Sequence, residues 1–368
     1  MYAAAGSGPH RSCALINAHP PTLRTLGTVG RPRGARPVGG GFAPFCPASP
    51  GWLMQIRQVV ATVPANGGWH GTHREASGGM SGRALLLVVA ASSIHVAWNL
   101  SAKRSSNRLV FLWLGLGVGL LLYAPLALWL ALRDPFPWRG LGFAAASGII
   151  HSAYYYALSR MYAHDFSLTY PTARGVSPVL VTIASLALLH EPLRPGGVAG
   201  IACVVAGVGF LRLRALSLPG ARQAAVETIH HPAGRLALAT GGIIAAYSLV
   251  DKLGVSMVDP VVYLWCSHFV AFLGYSATMV SNWTEVAAEA KRAGRSLLVV
   301  GIGQNLAYIL VLNAMRLAPV AYVVPAREVS TLLGVLVGTL VLKEPAPLPK
   351  LAGAAMIVAG VALISLKG

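Results

Sequence analysis

Two short stretches of the sequence are nearly identical: Ala-Arg-Gly-Val-Ser at residues 173–177 and Ala-Arg-Glu-Val-Ser at residues 326–330. They belong to a longer match, because residues 147–214 align without a gap on residues 300–367, with 19 identities in 68 positions. A Glu-Pro pair, a tyrosine and a Val-Ala-Gly-Val run also coincide in this alignment. Apolar composition alone would not align these polar residues, so the second half of the sequence repeats the first.

The repeats consist of long apolar segments. Of the 368 residues, 55% are hydrophobic and 11% are charged, whereas roughly a quarter of the residues are charged in a soluble domain. A water-soluble globule is therefore excluded. From Met80 onward, ten segments of about 18 to 24 residues are each long enough to cross a hydrocarbon core as a helix. They are residues 84–102, 109–132, 140–162, 167–189, 196–213, 235–254, 260–281, 297–316, 319–342 and 350–366. The pattern predicts an all-α polytopic membrane protein with ten transmembrane helices.

The number of spans in each copy determines how the copies are oriented. Five is an odd number, so the second copy enters the membrane from the side opposite to the first. The sequence thus predicts two inverted five-helix repeats, at residues 80–214 and 235–368, joined by a linker at 215–234. Inverted repeats of this kind are typical of transporters that work by alternating access.

Residues 1–79 have a different composition. They are rich in Gly, Pro, Ala, Arg and Ser, and Glu75 is their only acidic residue. No helical or alternating period persists in them, so we expect a disordered extension. Two explanations remain open: an upstream extension of the reading frame with the natural start at Met80, or an Arg-bearing targeting segment.

The chain resembles the drug/metabolite transporter superfamily, and within it the ten-span EamA-type transporters. The resemblance covers residues 84–367. It rests on two tandem five-span units, on His-Val-Ala-Trp-Asn at residues 95–99, and on the Glu-Pro that follows the fourth and ninth spans. It implies a central cavity lined by the first, third, fourth, sixth, eighth and ninth spans, with the fifth and tenth more peripheral.

Arg174 and Arg327 occupy the same repeat position inside the fourth and ninth spans. A charge near the middle of a bilayer costs roughly 2.5 to 3.5 kcal/mol on insertion scales, so such a residue normally faces a cavity or a partner. The guanidinium fork suits a carboxylate or a phosphate. Two interpretations remain open: the arginines bind an anionic group of the substrate, or Glu328 and loop carbonyls neutralise them and fix helix positions.

Glu328 has no acidic counterpart, because Gly175 occupies its repeat position. A buried carboxyl can exchange a proton during a transport cycle, which makes Glu328 the candidate for proton coupling. Alternatively, it is held ionised in a pair with Arg327 or Arg174.

Other candidates are polar or aromatic side chains at helical spacing. His95 and Asn99 are four residues apart on the first span and should share a face that points inward. His151 and Tyr155 have the same spacing on the third span, and Gln304 and Tyr308 repeat it on the eighth. For each, the alternative is a hydrogen bond between helices. The full candidate substrate-binding set is Arg174, Arg327, His151, Tyr155, Gln304, Asn305, Tyr308, His95, Trp98, Asn99 and Ser248.

These features favour a secondary-active transporter that moves a small anionic or zwitterionic metabolite by alternating access. A lipid-carrier flippase and a non-transporting membrane subunit are the alternatives. An enzyme is disfavoured, because the sequence has neither clustered metal ligands nor a nucleophile with its base. No cofactor, metal or ATP-binding motif is predicted.

The expected partners are a small solute and the lipid bilayer. Nucleic acid is not expected, since the excess of 29 Lys and Arg over 11 Asp and Glu lies in short segments between spans. A homodimer is left open. We expect a multi-pass protein of a bacterial inner membrane, with its orientation open: loop charges favour both termini outside, whereas the resemblance implies cytoplasmic termini.

Overall fold

The structure is a computed structural model of the full chain. It describes residues 79–102, 105, 107–133, 138–162, 166–211, 226, 229–279, 283–337, 339 and 348–368. Nearly all of the predicted N-terminal extension and most of the predicted linker lie outside these residues.

Every regular element in these described ranges is a helix. The fourth helix continues into a π-helical turn, Ser185–Leu189. The helices are α1 (Gly82–Ala102), α2 (Arg108–Ala131), α3 (Trp138–Tyr162), α4 (Phe166–Ala184), α5 (Pro195–Phe210), α6 (Pro232–Gly254), α7 (Pro260–Met279), α8 (Trp283–Ala293), α9 (Arg295–Leu317), α10 (Val320–Ala326), α11 (Val329–Leu336) and α12 (Leu348–Lys367).

Seven helices in the described part of the chain are long and apolar enough to cross a membrane: α1, α2, α4 with its π-helical turn, α6, α7, α9 and α12. The predicted all-helical, polytopic class is therefore supported, while the count of ten spans stays a prediction. Three predicted spans fall outside the seven for different reasons. Helix α3 has 25 residues but is more polar, α5 has only 16 residues, and the ninth predicted span is divided into α10 and α11.

The ninth predicted span is interrupted at Arg327 and Glu328. Pro325 lies in the last turn of α10 and has no backbone N–H to donate. The chain continues through tighter hydrogen bonds, from Glu328 N to Pro325 O at 2.9 Å and from Ser330 N to Arg327 O at 3.0 Å. Thr172 occupies the repeat position of Pro325, and α4 runs through Arg174 without a break. Arg174 therefore lies within a continuous helix, whereas Arg327 lies in the turn between two helices.

Helices α5 and α12, the last of each repeat, pack in opposite directions. Gly200 lies against Gly360, and Gly207 lies against Gly353, so the residue numbers rise along one helix as they fall along the other. A Cβ on Gly353 would lie 2.6 Å from Gly207 O, and one on Gly360 would lie 2.6 Å from Gly200 O. Small residues permit this close approach of two backbones. The repeat alignment equates Gly200 with Gly353 and Gly207 with Gly360. Gly200 therefore contacts the counterpart of Gly207, and Gly207 contacts the counterpart of Gly200.

The second helices of the two repeats, α2 and α7, are also antiparallel. Trp113 Nε1 donates to Ser276 Oγ at 2.9 Å. Nearer the other end of α2, Trp265 Nε1 donates to Leu120 O at 2.9 Å. The first and third helices of the repeats also pack reciprocally. The first helix of each repeat packs against the third helix of the other, α1 against α9 and α6 against α3. The helices of each repeat thus pack against those of the other.

A charged contact joins the loop after α4 to the turn between α9 and α10. Lys252 Nζ donates to Ala318 O at 2.9 Å, beside the end of α9. The Glu191 carboxylate accepts from Val320 N at 2.9 Å, at the start of α10. The two side chains lie 3.6 Å apart. A cation near a helix C-terminus and an anion at an N-terminus both complement the helix dipole.

The glycine contact between α5 and α12 generates a test of packing. In a Gly207→Ala variant, the new Cβ would meet Gly353 O at 2.8 Å. Because backbone lies on both sides of this contact, the helices must separate, and we expect a loss of about 1 to 3 kcal/mol of stability. Thermal unfolding of the purified protein in detergent measures it. Gly209→Ala is the matched control, since a Cβ there has nothing within 4 Å, and equal melting temperatures for the two variants would contradict the packing argument.

Candidate functional site

A cavity of about 120 Å³ lies between the two repeats. Its walls come from α1, α2, α3, α4, α6, α7, α9, α11 and the turn between α10 and α11, whereas the described residues of α5, α8, α10 and α12 contribute nothing to the lining. Eight of the side chains selected from the sequence line it: His95, Trp98, His151, Tyr155, Arg174, Gln304, Tyr308 and Arg327. The structure therefore brings most of the predicted set to one place.

Arg174 is neutralised by a carboxylate from the other repeat. Its Nη2 atom lies 3.0 Å from Glu328 Oε1 and donates to Ser330 Oγ at 3.0 Å. Glu328 is only 2% exposed, and its second oxygen accepts from Thr331 Oγ1 at 2.8 Å. Of the two interpretations of Glu328, the geometry fits the ion pair, and the partner is Arg174.

Arg327 has a different environment, although it occupies the equivalent repeat position. Its guanidinium carbon lies 5.4 Å from the centre of the Tyr308 ring. Its backbone oxygen accepts from Ser92 Oγ at 3.4 Å. Within the part of the chain that the structure describes, no carboxylate forms a salt bridge with Arg327. A cavity-lining guanidinium in this state is suited to bind an anion.

Aromatic rings line the same cavity. His151 stacks on Tyr247 with ring centres 4.1 Å apart. Tyr308 stacks on His268 at 6.2 Å. His95 meets Trp98 edge to face at 4.9 Å. Such rings offer a large apolar surface together with polar edges, which suits a solute that has both kinds of group.

Among the buried polar atoms of the cavity wall, Trp98 Nε1 and Gln304 Oε1 find no hydrogen-bond partner in the described residues. The other end of the Gln304 amide is occupied, because Nε2 donates to Tyr155 OH at 2.9 Å. Most buried polar groups in folded proteins are hydrogen-bonded, so each exception needs an explanation. Here the wall presents one donor and one acceptor that a polar solute or water can satisfy.

Asp251 is a buried carboxylate that the sequence analysis missed. It lies on α6 and is fully buried. Its Oδ1 atom accepts from Ser147 Oγ at 2.5 Å and from Tyr263 OH at 2.8 Å, and its Oδ2 atom accepts from the hydroxyl of Tyr308. The first and sixth spans align more weakly, with a shift of 149 residues that places Leu100 on Leu249. In that alignment Ala102 stands at the position of Asp251, so the repeat gave no signal. An acidic residue inside an apolar span was the signal that could have found it.

His268 was also missed, because α7 was not expected to line the cavity. Its ring is 3% exposed, and Nδ1 lies 2.9 Å from Asn305 Oδ1. It is the cavity residue that α7 contributes. A histidine in an apolar span, at 268, was the available signal.

Three residues of the predicted set do not reach the cavity. Asn99 is exposed and donates to His95 O at 2.7 Å. Ser248 is fully buried between helices and donates to Ile244 O at 2.7 Å. Asn305 is buried and donates to Gly301 O at 2.8 Å. The expectation of a common inward face was wrong for Asn99, because four residues of helix turn through about 400°, which leaves its side chain about 40° from that of His95.

No group of three His, Cys, Asp or Glu side chains within the described ranges is placed to hold a metal ion. The described chemistry consists of charges, hydroxyls and aromatic rings around a cavity inside a bundle of apolar helices. This combination defines an integral, multi-pass membrane protein with a polar central cavity.

The chain belongs to the EamA-like transporter family, whose model matches residues 82–213 and 233–366. The resemblance stated from the sequence is thereby confirmed, and members of this family are membrane transporters. A solved crystal structure of a protein is similar, with a TM-score of 0.55 and 18% identity over 77% of this chain and 95% of that one. At that identity the likeness shows the fold alone. None of the curated proteins matches the chain.

The ion pair across the cavity generates a second test. Glu328→Gln leaves the Arg174 guanidinium without its buried carboxylate, so we expect a loss of about 3 kcal/mol. The double variant Arg174→Gln with Glu328→Gln removes both charges and should be more stable than the sum of the single losses implies. Thermal unfolding of the four proteins of this double-mutant cycle measures the coupling. Strictly additive losses would show that the two side chains do not interact.

Proposed function

We propose that this protein is a secondary-active transporter of a small metabolite that carries an anionic group, and that Arg327 binds this group. The observation that carries the proposal is the difference between the two arginines. Arg174 is paired with Glu328 at 3.0 Å, whereas Arg327 lines the same cavity with its guanidinium against the Tyr308 ring and, among the described residues, without a salt bridge. A positive charge in a low-dielectric cavity favours an anionic ligand.

Alternating access forms part of the proposal. Helices α3 and α5, together with the α10–α11 pair, would complete ten spans with the seven long apolar helices. The antiparallel packing of α5 on α12 and of α2 on α7 supports an inverted arrangement of the two repeats. In such an arrangement, exchange of the conformations of the halves converts an inward-open state into an outward-open one.

The cavity wall indicates further properties of the solute. Trp98 Nε1 and Gln304 Oε1 offer a hydrogen-bond donor and an acceptor, so the solute should carry a matching acceptor and donor beside its anionic group. The rings of Tyr247, Tyr308 and His151 favour a partly apolar body. A cavity of about 120 Å³ favours a small molecule.

Location and assembly remain part of this proposal. We place the protein in a bacterial inner membrane. The cavity is built within one chain, so a homodimer is not required for the site.

Uptake into proteoliposomes tests the proposal. A panel of amino acids, organic anions and phosphorylated metabolites should contain solutes that accumulate with the wild type and not in empty vesicles. Arg327→Gln should reduce their uptake about 10- to 100-fold, since a hydrogen bond to a charged group contributes about 1.5 to 3 kcal/mol. Arg327→Lys should retain part of the activity.

The matched control is Arg316→Gln, which removes an exposed arginine at the end of α9. It should transport like the wild type. Undiminished uptake by Arg327→Gln would remove this residue from the binding site, and absence of uptake for the entire panel would count against transport of this solute class.

A further inference from the structure

The carboxylate of Asp251 is enclosed by hydroxyl groups. Ser147, Tyr263 and Tyr308 donate to it from three different helices, α3, α7 and α9. Ser267 Oγ in turn donates to Ser147 Oγ at 3.1 Å. None of the Lys, Arg or His side chains among the described residues forms a salt bridge with it. Asp251 is thus an intramembrane carboxyl held by neutral donors.

Among the residues that the structure describes, the charged and titratable groups around Asp251 leave one cation to balance it. These groups are His151 on α3, Arg174 on α4, Tyr247 and Lys252 on α6, Tyr263 and His268 on α7, Tyr308 on α9, and Arg327 between α10 and α11. Arg174 is paired with Glu328, and Lys252 with Glu191. The remaining arginine is Arg327, the proposed anion site.

Tyr308 connects the two sites directly. The face of its ring lies against the Arg327 guanidinium, 5.4 Å from the guanidinium carbon. Its hydroxyl donates to Asp251. A change of charge at Arg327 therefore acts on Asp251 across one side chain. Asp251 is fully buried, and electrostatic interactions are strong in such surroundings.

The hydroxyls of Ser147, Tyr263 and Tyr308 can hydrogen-bond to Asp251 in both its ionised and its protonated form. Each hydroxyl is one donor and two acceptors, and its hydrogen rotates to suit the partner. An ionised Asp251 accepts from Ser147, Tyr263 and Tyr308. A protonated Asp251 donates to one of these oxygens while the others still donate to it. The carboxyl therefore keeps hydrogen-bond partners in either form, so a proton can bind or leave without repacking.

Hydrogen-bonded groups also connect Asp251 with the cavity. Ser147 Oγ lies 3.2 Å from His151 Nδ1, and His151 lines the cavity. Tyr308 lines the cavity as well and contacts Asp251 itself. A proton that enters the cavity with the solute therefore has two short routes to the carboxyl.

We propose that Asp251 is a proton-binding site coupled to the anion site, so that a proton binds to Asp251 when an anionic group occupies Arg327. The bound anion cancels the charge of Arg327 and leaves an ionised Asp251 without a counter-charge among apolar helices, which is costly. A proton on Asp251 removes that cost. One proton then accompanies each monovalent anionic group, and the net charge of the occupied cavity does not change. This inference rests on the proposed function, and it moves proton coupling from Glu328 to Asp251.

Infrared spectroscopy of the full chain in lipid vesicles tests this without a transported solute. Isotope labelling of aspartate carboxyls separates four aspartates from seven glutamates in the sequence. The labelled band of a protonated carboxyl should appear as the pH is lowered. The component of this band that comes from Asp251 should be lost in Asp251→Asn and retained in Asp259→Asn, a control at the start of α7, where the Asp259 side chain accepts from Val261 N.

The coupling is tested by removing the cationic charge. Arg327→Gln imitates an arginine neutralised by an anion, so the band should appear at a pH about one unit higher than in the wild type. Arg316→Gln should leave it in place. This comparison keeps Asp251 itself intact, so it holds even where Asp251→Asn fails to fold.

Two results would overturn the proposal: a labelled band that Asp251→Asn leaves unchanged at every pH, or an Asp251 component of the band that Arg327→Gln does not move. The outcome is independent of uptake. Uptake that depends on Arg327, together with an Asp251 that does not titrate, would remove the proton site alone. A titrating and coupled Asp251, together with no uptake of any solute, would remove the transport proposal alone.

Discussion

The ion pair between Arg174 and Glu328 determines what the cavity can bind. Charges among apolar helices are costly unless each has a counter-charge close by. Duplication supplied two arginines at equivalent positions, but the glutamate occurs in only one repeat, where glycine occupies the other. One arginine is therefore neutralised across the interface of the repeats. The second keeps its charge available to the cavity.

The fold is nearly symmetric, whereas its chemistry is not. Helices α5 and α12 are antiparallel and contact each other through glycines at equivalent repeat positions. Such reciprocal packing suits two halves that interchange their conformations. The polar groups depart from it at single positions. Pro325 replaces Thr172 and breaks the helix beside Arg327, and Asp251 replaces Ala102. The packing is thus close to symmetric, while single asymmetric side chains supply the two groups on which the proposals rest, Arg327 in the cavity wall and Asp251 buried behind Tyr308.

The sequence predicted the helices and many of the cavity residues, because both follow from local patterns. Tyr155 and Tyr308 were recognisable by their shared repeat position, and both line the cavity. The orientation of Asn99 was not predictable, since helical spacing defines a face only to within tens of degrees. Asp251 was missed because its importance comes from three hydroxyls on distant segments. The partner of Glu328 was left open because it depends on the turn that follows Pro325.

In the proposed mode of binding, Arg327, and not Arg174, holds an anion in the cavity. An experimental structure of the protein in bromide, with the anion located by its anomalous scattering, tests this binding mode. We expect a bromide within hydrogen-bonding distance of the Arg327 guanidinium, with the Arg174–Glu328 pair intact. A bromide bound to Arg174 in place of Glu328, or a cavity without bromide beside a salt bridge between Arg327 and a carboxylate, would contradict it.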